Sequence, residues 1–185
     1  MVEVSGAGFV SLDDPFGILR PPAKVDTWEQ GRAPRSKSTL TTAIGRRLVL
    51  VAQQMDDPLL HGVARSVTFL WAMEAEGTIS LCVEEVAEMP DGSDLSGYPR
   101  RRSFPSHPVH EKKLGHPTLV AGGQARVAGE LFLDMRPDGL RWYMNVKSGR
   151  YCRQQPPSRH QIAAVLAHFQ SMLGKDVRLD DIRAA

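Results

Sequence analysis

Residues 115–154 read GHPTLVAGGQARVAGELFLDMRPDGLRWYMNVKSGRYCRQ, and they hold the clearest strand pair in the chain. Leu140, Trp142, Met144 and Val146 alternate with Arg141, Tyr143, Asn145 and Lys147. That period of two gives one apolar and one polar face. Ahead of them Val127, Leu131, Leu133 and Met135 share one face, with Arg126, Glu130 and Asp134 on the other. Arg136-Pro137-Asp138-Gly139 joins the two runs. Proline presets φ at the second turn position, and glycine relieves strain at the fourth.

These runs define a register. A four-residue loop pairs Met135 with Leu140, Leu133 with Trp142, Leu131 with Met144 and Glu130 with Asn145, so both apolar sets share a face. A tighter loop with a glycine bulge at Gly139 slips the pairing by one and mixes the faces. The four-residue loop is therefore expected. The polar face then gathers Glu130, Tyr143, Asn145 and Lys147, with Phe132 as an apolar exception.

A second hairpin is expected over Val67 to Val86. Val67, Phe69, Trp71 and Met73 alternate up to the loop Ala75-Glu76-Gly77, and Ile79, Leu81 and Val83 answer them. Glycine in the left-handed position of a three-residue loop pairs Met73 with Ile79. Cys82 then falls on the opposite face, beside Leu70 and Ser80.

Before this hairpin, Ser38 is the expected cap of a helix whose apolar stripe is Leu40, Ile44, Leu48, Val51 and Met55. The continuous apolar run Leu48 to Ala52 leaves a buried strand as the competing reading. Asp57 and Pro58 open a short helix through Leu59, Leu60 and Val63. After the central block, a helix begins near Ser158, presents Ile162, Val165, Leu166, Phe169, Met172 and Leu173 on one face, and stops at Gly174. The tail packs back through Val177, Leu179 and Ile182. Residues 88–115, rich in proline and glycine and carrying Arg100-Arg101-Arg102, read as a long loop.

Residues 1–37 read as an extended Pro/Gly-rich arm, and 38–185 as a single α+β domain: an antiparallel sheet containing two β-hairpins packed against two or three helices. A chain of 185 residues suffices for one sizeable core. A net charge of +2 does not by itself imply nucleic acid or membrane. No apolar run approaches the ~18 residues of a membrane span, and the first residues lack a basic-then-apolar leader pattern. Cys82 and Cys152 make neither a metal spacing nor a disulfide framework. A cytoplasmic location is expected, or delivery into a target cell by a secretion system.

The P-loop, dinucleotide, HExxH, CxxC and GxSxG patterns are absent. Softer candidates remain. Glu130 sits mid-strand, where a carboxylate is either an exposed residue on the wet face of an antiparallel sheet or a site acid. His116, between glycine and proline, is a loop residue whose ordinary pKa suits a general base. Arg150 could hold phosphate or carboxylate through its guanidinium fork, with Ser148, Tyr151 and Asn145 beside it. A nucleophilic Cys152, its thiolate favoured by nearby cations, is a further candidate, while Cys82 reads as a small buried apolar residue. Arg100 to Arg102, Lys112 and Lys113 could bind phosphates, which keeps nucleic acid open as a partner, but no interleaved aromatics suggest base stacking. Nothing in these patterns names a cofactor or an oligomeric state.

The order His116-Pro117-Thr118-Leu119-Val120, Val127-Ala128-Gly129-Glu130-Leu131, then Asn145-Val146-Lys147-Ser148-Gly149-Arg150-Tyr151 followed by a helix resembles a block at the C-terminal end of bacterial effector and polymorphic-toxin domains. Those carry His-Ser-Ser at 116–118 and Ser-Gly-His-Tyr at 148–151, so arginine at 150 departs from the pattern. The resemblance implies a toxin-like or host-modifying protein without naming its reaction. His61-Gly62, Tyr98 and Glu130 also follow the order of the histidine, tyrosine and glutamate in one class of ADP-ribosyltransferases.

Three readings follow. The first is a small bacterial effector- or toxin-like enzyme, a transferase or hydrolase acting on a macromolecular or nucleotide-type substrate. In it Glu130 and His116 are catalytic, and Arg150, Tyr151, Asn145 and Ser148 bind substrate. The second is a non-catalytic binding module or subunit of a larger bacterial assembly, with a protein partner ordering the arm and the basic loop. The third is an ADP-ribosyltransferase-like enzyme.

Overall fold

A computed structural model of the chain describes residues 11–55, 57–88 and 112–180. In chain order the elements are a one-turn helix α1 (Asp13–Phe16), strand β1 (Ser38–Thr39), helices α2 (Thr42–Gln54) and α3 (Pro58–Ser66), and strands β2 (Thr68–Met73), β3 (Ile79–Val83), β4 (Val86–Glu88) and β5 (Lys112–Lys113). Strands β6 (Val127–Arg136) and β7 (Gly139–Met144), helix α4 (Arg159–Leu173) and strand β8 (Arg178–Leu179) complete them. Single 3-10 turns lie at Thr27–Glu29 and His116–Val120.

The hairpins have the registers that their alternation dictates. Met135 pairs with Leu140, Leu133 with Trp142 and Leu131 with Met144. Pairing runs one step further than the four-residue loop, to Arg136 and Gly139, with Gly139 at φ +105°. Met73 pairs with Ile79 and Trp71 with Leu81, and Gly77 holds the left-handed position at φ +81°. The hairpins join through β2 and β6, giving a six-stranded sheet in the order β1-β3-β2-β6-β7-β8. The architecture is α+β. The sheet is not wholly antiparallel: β8 runs parallel to β7, because the tail returns from α4 on the same side. Val177 is buried and Leu179 packs on the core, as the tail's pattern suggested, while Ile182 lies outside the described residues.

Helix α2 forms in place of the alternative strand, but Ser38 does not cap it. Ser38 and Thr39 pair with Leu81 and Ser80. The cap is Thr41, whose Oγ1 accepts from the Ile44 N–H at 3.3 Å. Asp57 Oδ1 caps α3 by accepting from the Leu59 N–H at 2.8 Å. Helix α4 starts at Ser158 with a capping box closed by Gln161. Val165, Phe169 and Leu173 are its buried positions, and Phe169 meets Trp71 edge to face with ring centroids 5.1 Å apart.

The second face of the sheet is where the expectation fails. An antiparallel sheet commonly has a wet face, yet Thr68, Leu70, Ala72, Ser80 and Cys82, which point away from Trp71 and α4, are all buried. The covering comes from two stretches whose regular structure is limited to single short helical turns. Residues 11–37 run along the molecule, with Arg20 and Ala125 exchanging backbone hydrogen bonds at 2.9 and 3.0 Å. The His116–Val120 turn lies beside them, with Leu119 fully buried. Of the expected long loop, residues 112 and 113 form β5 and pair with β4.

Helix α2 crosses α4 at Gly45. A Cβ there would lie 2.2 Å from the Met172 carbonyl oxygen, whereas one on Gly62 in α3 would meet nothing within 4 Å. A helix-interior Gly→Ala change ordinarily stabilises by roughly 0.5–1 kcal/mol, and overpacking costs about 1–3 kcal/mol. Urea unfolding should therefore give opposite signs: Gly62→Ala stabilises, and Gly45→Ala destabilises.

Candidate functional site

A cavity of about 210 Å³ opens on the sheet face opposite α4. Its lining brings together Glu130 on β6, Leu70 on β2, Glu84 just after β3 and Lys113 on β5. Gly115 and His116 come from the 3-10 turn, Lys147, Gly149 and Arg150 from the segment after β7, and Glu29 from the arm.

Glu130 and Asn145 are held as a reciprocal pair. Asn145 Nδ2 donates to Glu130 Oε2 at 3.2 Å, Asn145 Oδ1 accepts from the Glu130 N–H at 3.1 Å, and the Asn145 N–H donates to the Glu130 carbonyl at 2.9 Å. The same Oδ1 accepts from the Lys147 N–H at 3.0 Å, turning Lys147 toward the cavity. His116 Nε2 lies 2.9 Å from the Gly129 carbonyl oxygen. A carbonyl only accepts, so Nε2 carries the hydrogen and Nδ1 is the acceptor nitrogen of the neutral ring. Burial lowers the His116 pKa below its ordinary 6.5 and outweighs the Gly129 hydrogen bond and the Glu130 and Glu84 charges, which act the other way. The ring is neutral at pH 7.

Arg150 faces the cavity, but its fork is occupied by the chain itself. Its guanidinium donates to the Asp26 carboxylate and to the Lys24 carbonyl, and lies 3.6 Å from Glu29 Oε2. The Ala23 N–H returns to the Arg150 carbonyl at 2.7 Å. Burial raises the Asp26 pKa, but Lys24 and Arg150 prevail and hold it below 3.8. Glu29 Oε2 accepts from the Asp26 N–H at 2.7 Å and its Oε1 from the Gly115 N–H at 2.9 Å. One arm carboxylate thereby anchors the residue immediately before His116. Lys113 pairs with Glu84 at 3.0 Å, and Lys147 with the buried Asp180 at 3.2 Å. Three cations in the lining thus face three carboxylates, and each cation also has a carboxylate partner.

Ser148 and Tyr151 do not line the cavity. Ser148 is buried in a turn, its Oγ 3.4 Å from the N–H groups of Arg150 and Tyr151. Tyr151 is buried in the core, and its hydroxyl donates to the Gly123 carbonyl at 2.8 Å. Both cysteines are buried, and burial pushes both thiols up rather than toward thiolate. Cys152 donates to the Ala128 carbonyl at 3.2 Å. The cation that acts on it is Arg20, not its neighbours in sequence, and it does not offset the desolvation. His61 lies on α3 and is not part of the lining around Glu130. Tyr98 and Arg100 to Arg102 lie outside the described residues.

Sequence reasoning missed Glu29 and Glu84, and named Lys113 only as a phosphate-binding candidate of the loop. Glu84 directly follows a strand whose alternation was legible, so its face could have been read. Nothing local in the arm marks Glu29. A larger hollow of about 450 Å³ lies between α2, the β6–β7 turn and the tail. Its charged groups, Asp138, Arg141 and Asp176, are tied to one another at 2.8–3.0 Å, and no histidine is among the described residues that line it. Among the described residues, no group of three or more His, Cys, Asp or Glu side chains is arranged to hold a metal ion, and no helix is long and apolar enough to cross a membrane. Comparison of the chain with protein-family models, curated proteins and solved structures gives no match.

Two acid-sensitive windows follow. The folded His116 pKa lies below 6.5, so stability is full above pH 6.5 and falls as pH drops toward the folded value, because the unfolded chain takes the proton first. Asp26 and Asp180 are both depressed, so their contribution holds above about 3.8 and is lost as pH falls through their folded values. NMR titration should show the His116 ring changing below pH 6.5, and His116→Gln should flatten the stability slope just below that pH. Titration of His116 above 6.5 would contradict its buried, neutral state.

Proposed function

We propose that this chain is a small bacterial effector- or toxin-like enzyme, a hydrolase or transferase, whose reaction takes place at the cavity shared by Glu130 and His116. One observation carries the reading: a carboxylate on β6 and a neutral imidazole from the turn before it line one hollow. Among the described residues, no serine, threonine, cysteine or tyrosine lines it with them. General acid–base chemistry on water or on a substrate group suits this carboxylate and imidazole.

In this reading His116 accepts the proton of the attacking group. Glu130, oriented by Asn145, stabilises the resulting imidazolium or handles the second proton transfer. The Lys113, Lys147 and Arg150 charges are balanced within the protein, so an entering polar group exchanges partners with them rather than meeting a strong positive field. Ligand pockets usually run to about 300–1,000 Å³. At about 210 Å³, this cavity suits one protruding group of a macromolecule better than a whole free cofactor.

Induced expression in bacterial and yeast cells tests the reading. The wild-type chain should arrest growth in one of them, and Glu130→Gln and His116→Gln should abolish the arrest at equal soluble yield. The Glu130→Gln thermal midpoint should stay close to wild type, since glutamine can still accept from Asn145. Equal arrest by Glu130→Gln, or a large loss of its stability, would make Glu130 structural.

A further inference from the structure

Five large apolar side chains are exposed among the described residues, and four of them crowd onto α2 and α3: Leu59 (81%), Leu50 (55%), Val63 (51%) and Val51 (39%). Single exposed apolar residues are ordinary, whereas a concentrated patch marks an interaction surface. Between the two helices is a groove of about 160 Å³. Val51, Met55 and Val63 form its walls, and Phe69, Leu133 and Trp142 its floor. Leu133 and Trp142 are buried, so the floor belongs to the core and is rigid. Val51 and Met55, like Leu59 and Val63, stand one helical turn apart, matching the turn spacing of an apolar helix laid along them.

Charge narrows the occupant. Arg46 and Arg47 are exposed and have no hydrogen bond or ion pair in the structure. They precede Leu50 and Val51 by four residues each, so a positive edge continues the apolar strip. Two described acids near this face are committed: Asp57 caps α3, and Asp134 holds Arg65 at 2.8 Å and Arg136 at 3.3 Å. A second copy of the chain would thus bring two unpaired arginines to a face that, among the described residues, offers them no uncommitted carboxylate. A flat bilayer could use the same residues, but it would not fill a concave groove.

From this we infer that the α2–α3 groove docks an amphipathic helix of another protein, with apolar residues at i, i+3 or i+4, and i+7 and carboxylates along the flank facing Arg46 and Arg47. The groove lies on the helix-covered side of the sheet, and the Glu130–His116 cavity lies on the other, so the two readings stand or fall separately.

The test is selection of displayed random peptides of about 16 residues, enough for four helical turns, on the full chain, with counter-selection on Val63→Asp. Enriched peptides should share the helical apolar spacing and carry Asp or Glu on one flank. Their affinity, read by fluorescence anisotropy, should fall about tenfold or more in Leu59→Ser and Val63→Asp. It should also fall in the double variant Arg46→Glu, Arg47→Glu, while Glu130→Gln and His116→Gln leave it unchanged. Absence of enrichment over the counter-selection, or enriched peptides lacking the carboxylates or the spacing, overturns the proposal. So does a concentration-dependent dimer abolished by Val63→Asp, which would assign the groove to a second copy. Binding to anionic vesicles that Val63→Asp removes, without peptide enrichment, would assign it to a membrane surface.

Discussion

The contact that the candidate site and its surroundings depend on lies at Gly129. A Cβ at this position would sit 1.8 Å from the Asn145 carbonyl oxygen and 2.9 Å from the Val146 Cα, so β6 and the chain leaving β7 touch backbone to backbone. That approach brings the Asn145 side chain onto Glu130 and the Lys147 N–H onto Asn145. The Gly129 carbonyl is the group that holds His116. One residue earlier, the Ala128 carbonyl accepts from Cys152. Three consecutive residues of one strand therefore set the position of the acid, the imidazole and the turn that delivers Arg150.

Ion pairs of the arm complete the second face. Arg126 donates to Asp13 at 2.6 Å, to the Gly17 carbonyl at 2.7 Å and to the Ala75 carbonyl at 2.8 Å, joining the arm to the β2–β3 loop. The buried Glu85 accepts from the Arg35 and Ser36 N–H groups and from the Ser36 hydroxyl. Arg150 and Asp26 join the middle of the arm to the segment after β7. Pairs of this kind gain little net stability over apolar replacements, and the exposure of Asp13 reduces the contribution of its pair with Arg126 further. Their effect is to select one path for a stretch that has no hydrophobic periodicity to direct it.

The two faces of the sheet consequently carry different chemistry. The helix side is apolar and ends in a groove between α2 and α3. The other side is polar, with its charges balanced in pairs around a small cavity. Separating them by a sheet whose central strands are buried on both faces lets each be altered without disturbing the other.

Local chemistry determined much of this molecule. Alternation gave both hairpin registers, because a one-residue slip would move Leu131, Leu133, Trp142 and Met144 off the core face. Asp57-Pro58, Ser158 with Gln161, and Gly77 marked helix starts and a turn that the structure contains, because capping and positive φ are properties of a few adjacent residues. The alternation that paired Glu130 with Asn145 was legible for the same reason. What only the tertiary structure decided depends on residues far apart. Ser38 lost its capping role to Thr41 because a strand partner, Leu81, was available across the fold. Arg150 became the anchor of the arm because Asp26 and Glu29 reach it across more than 120 positions. Cys152 stayed a thiol because burial outweighed two backbone hydrogen bonds and the charge of Arg20, which is remote in sequence. Charge pairing and desolvation depend on which distant groups arrive, and no period along the chain records that.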